Sequence, residues 1–213
     1  MDRSRRIVIN TSRSAWIQSP ASGVWRKPLE REAAESGQVT SIVRYEPGSV
    51  FSTHKHPNGE EVFVLDGVFE DESGRYPVGS YFRNPPGSSH APRSPEGCLL
   101  FVKLNMFQEE DTDAVNISTE KIGWLPGVVN GLSVKTLHSF KTEHTALVRW
   151  QAGAEFHAHT HPGGEDIFVL EGVFEDEQGK YPKGSWLRNP PYSRHTPFSK
   201  NGCTILVKTG HIA

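Results

Sequence analysis

Apolar positions along the chain come in short runs. Val, Ile, Phe, Tyr and Trp gather at Ser41 to Tyr45, Val62 to Leu65, Val68 to Asp71, Ser80 to Arg83 and Cys98 to Leu104, and Gly, Pro, Asn or Asp interrupts between them. Branched and aromatic side chains suit a pleated, half-buried surface, so these runs predict short β-strands separated by turns. Helical periodicity is weak, and Leu29 to Ser36 is the best helix candidate. Many short strands in units of about 100 residues point to an all-β sandwich or closed barrel.

The pattern is written twice. Phe51 to Lys103 aligns with Phe156 to Lys208 at a constant offset of 105, and 32 of the 53 paired positions are identical. Upstream, three residues drop out of the second copy, and at an offset of 108 Trp16 meets Trp124, Gly23 meets Gly131, Lys27 meets Lys135 and Leu29 meets Leu137. A duplication of this kind predicts two tandem domains, 1–110 and 111–213, with the acidic stretch Phe107 to Asp113 as a short linker. The halves are expected to pair and to cover strand edges that a lone unit leaves open.

Charge narrows the partners. The chain has 23 Lys plus Arg against 25 Asp plus Glu, with no long basic run to follow a phosphate backbone, so nucleic acid is not expected. Only Ile7, Val8 and Ile9 follow the arginines of the first ten residues, too short an apolar stretch for a signal peptide or a membrane span. A soluble cytoplasmic protein is the expectation. Two cysteines, Cys98 and Cys203, sit at equivalent points of the two copies and are expected to be free thiols.

The chemistry is concentrated in one constellation, present in both copies. Gly48, His54, His56, Glu60 and Gly67 recur at identical spacing as Gly153, His159, His161, Glu165 and Gly172. Residues two apart on a strand share a face, and the Pro-Asn-Gly or Pro-Gly-Gly turn that follows can return the glutamate beside the histidines. A downstream histidine, His90 or His195, completes each set. Three imidazoles and one carboxylate form a borderline donor set that suits Zn, Fe, Ni or Cu and serves Ca or Mg poorly. The expected cofactor is a divalent transition metal, zinc first and iron second, with up to two ions per chain.

The spacing Gly-x5-His-x-His-x3-Glu-x6-Gly, followed by Gly-x5-Pro-x-Gly-x2-His, resembles the two sequence motifs of the cupin superfamily. More narrowly, the His-Pro-x-Gly-Glu block, the Gly-Val-Phe-Glu-Asp-Glu block and the later Arg-Asn-Pro-Pro resemble the ChrR-like cupin domain. The resemblance implies two tandem jelly-roll β-barrels and metal-ligand roles for His54, His56, Glu60 and His90, and for His159, His161, Glu165 and His195. It departs at Ser94 and Ser199, where the family's second motif usually ends in Asn, and at Tyr192, which replaces the glycine equivalent to Gly87. A tyrosine is strained where a turn needs positive φ, so a different turn is expected there. ChrR itself also carries an amino-terminal sigma-inhibiting helical domain with clustered His and Cys, which these 213 residues do not contain.

Several matched residues have plainer readings. His157 alternates with His159 and His161 and is expected to face the lumen beside the ligands. Arg44 with Arg149, and Arg83 with Arg188, read as structural ion pairs rather than as anion clamps. Phe69, Phe174, Tyr81 and Trp186 read as core. Two functions follow from the resemblance: a zinc-binding regulatory or stress-response protein like the sensor half of ChrR, or a non-haem iron dioxygenase acting on a small diketone or aromatic ketone. No catalytic side chain beyond the ligands is assigned. A small molecule in the barrel, a regulatory protein and a second copy of the chain are the partners to consider; a membrane is not.

Overall fold

The computed structural model describes residues 2–33 and 37–212. Its elements are strands joined by turns, and among the described residues the helical segments are two 3-10 turns, Thr11–Arg13 and Thr119–Lys121. Among the described residues no helix is long and apolar enough to cross a membrane. The helix candidate at Leu29 to Ser36 is not borne out over its described part. Leu29 to Arg31 end the strand Val24–Arg31, Glu32 and Ala33 form a bend, and positions 34–36 lie outside the described residues.

Each unit is built on the same sheet. In the first, the order is Val115–Ser118, Ser80–Asn84, Glu60–Asp71, Cys98–Leu104, Val39–Tyr45, Val24–Arg31 and Ile17–Gln18. In the second, the order is Ile7–Asn10, Ser185–Asn189, Glu165–Asp176, Cys203–Thr209, Glu143–Trp150, Leu132–Phe140 and Leu125–Pro126. The compact units are therefore residues 15–121, and residues 2–14 together with 122–212. The sequence repeats and the spatial units differ by an exchanged strand: Ile7–Asn10, written with the first copy, pairs with Ser185–Asn189 of the second. Its equivalent, Val115–Ser118, pairs with Ser80–Asn84.

Alternation along the strands fills the interior. Val62, Val64, Phe69, Phe82 and Leu100 form the first core, and Ile167, Val169, Phe174, Leu187 and Ile205 the second. A large apolar side chain so buried contributes roughly 1.5–3 kcal/mol. The two runs read as separate strands, Val62 to Leu65 and Val68 to Asp71, form one strand of 12 residues. The chain continues through Gly67 because Gly67 takes φ +68 and presses against the Gly97 carbonyl, where a Cβ would collide. A bulge at Leu65 bends the strand, since Leu99 pairs with Asp66 and Leu100 with Val64.

The stretch Phe107 to Asp113 is anchored rather than loose. Asp111 is buried and accepts from Arg83 at 3.2 and 2.7 Å, and the Arg83 guanidinium lies 3.9 Å from the centre of the Phe107 ring. Arg188 instead donates to the backbone carbonyls of Asp2 at 2.5 Å and Arg5 at 3.0 Å. Both arginines are structural. So are Arg44 and Arg149, stacked on Trp16 and Trp124, with Lys27 and Lys135 on the same rings.

Candidate metal centres

A short two-stranded ladder sets each histidine cluster. In the first unit His54–Lys55 pairs with Ser89–His90 so that His54 stands opposite His90. In the second, His159 stands opposite His195. His56 and His161 follow two residues later, before a turn, and Glu60 and Glu165 open the long strands that return beneath them.

The donor atoms converge. His56 Nε2 lies 3.0 Å from His90 Nε2, and Glu60 Oε2 lies 3.4 Å from His56 and 3.5 Å from His90. His159 Nε2 is 3.0 Å from His161 Nε2 and 3.3 Å from His195 Nε2, and the two oxygens of Glu165 each lie 3.5 Å from a histidine, Oε1 from His161 and Oε2 from His195. Within each triad, His54, His56, His90 or His159, His161, His195, the ligand atoms lie within 4.8 Å of one another. The separations of 3.0–3.5 Å are those of neighbouring ligands on one ion at bonds of roughly 2.0–2.2 Å. The structure thus gathers the three histidines of each set and places Glu60 and Glu165 against two of the three.

The surroundings prepare the donors. His54 Nδ1 lies 3.0 Å from the Ser52 carbonyl, and His159 Nδ1 3.0 Å from the His157 carbonyl. A carbonyl only accepts, so Nδ1 carries the proton and the Nε2 lone pair is left facing the cluster. Asn84 donates to Glu60 Oε2 at 3.0 Å and Asn189 to Glu165 Oε2 at 2.9 Å, fixing one carboxylate oxygen of each. Burial, and after it the neighbouring His90 and His54, pushes the His56 pKa down to about 3, so this imidazole is neutral and ready to ligate. Burial also raises both glutamates above the usual carboxyl range, because a buried carboxylate loses its hydration.

The two centres differ at one oxygen. In the first, Asp71 Oδ2 accepts a hydrogen bond from His90 Nδ1 at 3.1 Å. Burial alone would lower His90, but the Asp71 hydrogen bond and the charges of Glu60, Asp71 and Glu72 together raise it. In the second, the equivalent Asp176 Oδ2 binds Arg6 at 2.5 Å, and His195 Nδ1 is buried with no hydrogen-bond partner among the described residues. His195 accordingly stays low, burial outweighing Glu165. Arg6 precedes the exchanged strand; its counterpart before Val115 is Ala114. The supporting roles of Asp71, Asn84 and Asn189 escaped the sequence reading, although all three positions are matched between copies.

Two expectations need adjusting, for His157 and for the turn at Tyr192, while the expected free thiols are found. His157 is exposed and stacks on Phe156, 4.5 Å between ring centres, and only its backbone carbonyl serves the site, because the strand begins at His159 and the alternation does not reach back to it. The turn at Tyr192 is retained: its N–H bonds the His161 carbonyl at 3.0 Å as that of Gly87 bonds His56 at 2.9 Å, with Tyr192 itself at φ +62 and exposed. Cys98 and Cys203 are free and buried, and burial pushes each thiol up to about 11.

Beside the first cluster is a cavity of about 180 Å³, bounded by His54, His56, Glu60 and His90 and otherwise largely by apolar side chains such as Phe51, Leu100 and Val102.

Fold and clusters together define a duplicated β-barrel protein with one potential metal site per barrel. The chain belongs to the ChrR Cupin-like domain family, whose sequence profile matches residues 4–108 and again 112–213. No curated protein matches the sequence. Among solved structures, a candidate dioxygenase from Nostoc punctiforme is similar, with a TM-score of 0.83 at 15% identity, covering 97% of this chain and 82% of that one. A candidate glyoxylate-induced protein from Pseudomonas aeruginosa gives 0.77 at 17% identity, covering 97% and 91%. The oxalate decarboxylase of Lactobacillus farciminis, in a formate complex, gives 0.69 at 13%, covering 97% and 86%. At these identities the likeness is one of fold, two tandem cupin barrels.

Proposed function

We propose that the protein is a metal-dependent enzyme whose first barrel is the reaction site, and that iron-dependent oxygenolytic cleavage of a small carbonyl compound is its reaction. The cavity against His54, His56 and His90 carries this reading: a purely structural ion needs no organic-sized space beside it. The three imidazoles and Glu60 would hold the ion; Asn84 and Asp71 keep Glu60 and His90 aimed at it. The apolar wall keeps bulk water from the reacting groups. Bound iron supplies the oxygen chemistry that no side chain here offers. In such a dioxygenation both atoms of O2 end in the cleaved products, so no outside reductant is required.

The other reading is a zinc-filled regulatory module whose exchangeable element is a ligating carboxylate or a nearby thiol. Its thiol form loses support because Cys98 and Cys203 are buried with pKa values pushed up to about 11, leaving almost no thiolate at neutral pH. Metal analysis of protein from its own host, with oxygen uptake on β-diketones, aromatic ketones and small oxo acids, tests the choice. We expect iron, and uptake lost in His90→Ala but kept in His195→Ala. Two equivalents of zinc with no uptake would return the protein to the regulatory class, and no metal at all would overturn both.

A further inference from the structure

The wall of the first cavity is not like its copy in the second unit. Along Val24–Arg31, Val24 and Arg26 pair with Tyr45 and Val43 and share the inward face. Strict alternation would send Arg31 outward, five residues beyond Arg26. A bulge between Pro28 and Glu30 shifts the register, so that Arg31 pairs with Val39 and lines the same cavity. The second unit keeps the bulge, between Thr136 and His138, but carries Val134 and Ser139 at the matching registers with Val148 and His144. Lys55 at the first cavity becomes Thr160, and Tyr45 becomes Trp150. Among the described residues, three cations line a space to which one carboxylate, Glu60, also contributes. Arg31 Nε is buried without a hydrogen-bond partner among the described residues. A divalent ion would add two more positive charges to this lining.

We propose that the first barrel binds a small oxo acid, its carbonyl end toward the histidine cluster and its carboxylate on Arg26 and Arg31, and that the second barrel does not. Guanidinium groups pair with carboxylates through two directed hydrogen bonds, which a neutral ketone cannot reproduce. The size agrees: about 180 Å³ is below the roughly 300–1,000 Å³ of drug-sized sites, so the ligand is small. The inference deepens the enzyme reading by naming its substrate class, and rests on it only for the carbonyl end.

The test is calorimetric titration of cobalt-loaded and of metal-free protein with pyruvate, acetoacetate and levulinate, each against its methyl ester, in wild type, Arg26→Gln and Arg31→Gln. Metal content and melting temperature are recorded for every variant. We expect one oxo acid bound per chain, its ester weaker by roughly 10- to 100-fold, and a similar loss in each arginine variant at unchanged metal content. Esters binding as well as acids, or affinity indifferent to both substitutions, would overturn the proposal even with metal in place. If the histidines hold no metal, the enzyme reading fails, while arginine-dependent binding to metal-free protein still supports the anion site. Should one variant fail to fold, the other arginine and the acid-to-ester ratio in wild type decide.

Discussion

Asp71 and Asp176 occupy matched positions, are both buried, and do different things. Asp71 Oδ2 accepts from His90 Nδ1 and Asp176 Oδ2 from Arg6 at 2.5 Å, while Oδ1 of each accepts from a tyrosine, Tyr76 at 3.3 Å and Tyr181 at 2.8 Å. A carboxylate behind a ligating histidine fixes its tautomer and raises its donor strength, typically changing metal affinity by 10–100-fold. Asp71→Asn is therefore expected to weaken the first centre by about that factor and leave the second unchanged, measured by competition with a chromophoric chelator. Arg6→Ala should release Asp176 toward His195 and tighten the second centre; equal affinities before and after would reject this role for Arg6. Tyr192 offers a simpler test. A side chain in the left-handed region costs roughly 1–2 kcal/mol, so Tyr192→Gly should raise stability by about 1 kcal/mol in denaturant titration. The ligands were legible in the sequence because spacing and repetition both marked them. Asp71 was not, because its role depends on a strand folding back to His90, and Arg6 was not, because nothing local says which barrel its strand joins.

At the scale of elements, strands were read well where side-chain pattern and pairing agree: Cys98–Leu104 is bounded as its apolar run is. They were misread where the two compete. Leu29-Glu30-Arg31 has good helix formers, but pairing with Val39–Tyr45 overrides a weak local preference. Val62 to Leu65 and Val68 to Asp71 merged because Gly67 allowed the strand to bend rather than end. The exchanged strand was not visible at all, since the copies align in sequence order whichever barrel each strand completes. Removing residues 2–14 should expose the edge of Ser185–Asn189 and strip Arg188 of the Asp2 and Arg5 carbonyls. An exposed edge invites pairing with other chains. The truncated protein is expected to lose amide-exchange protection in Ser185–Asn189 and to aggregate, while Ser80–Asn84 keeps its protection; unchanged protection in both would reject a stabilising role for the exchange.

For the whole molecule, the duplicated sequence gives two barrels with matched ligands and unmatched support. Each cluster joins a two-stranded ladder to the first residue of a long sheet strand, so an ion would link segments that the unfolded chain separates. A ligand that binds only the folded form stabilises it by about 2.7 kcal/mol at a free concentration 100 times its Kd. Chelator titration should therefore lower the melting temperature in two stages. The second centre should empty first, because His195 Nδ1 has no carboxylate behind it among the described residues and His161 is the more exposed counterpart of His56, 27% against 5% at the side chain. His90→Ala should abolish the late stage alone and His195→Ala the early one alone. A single stage with both centres emptying together would show that Asp71 and Arg6 do not set the difference in affinity.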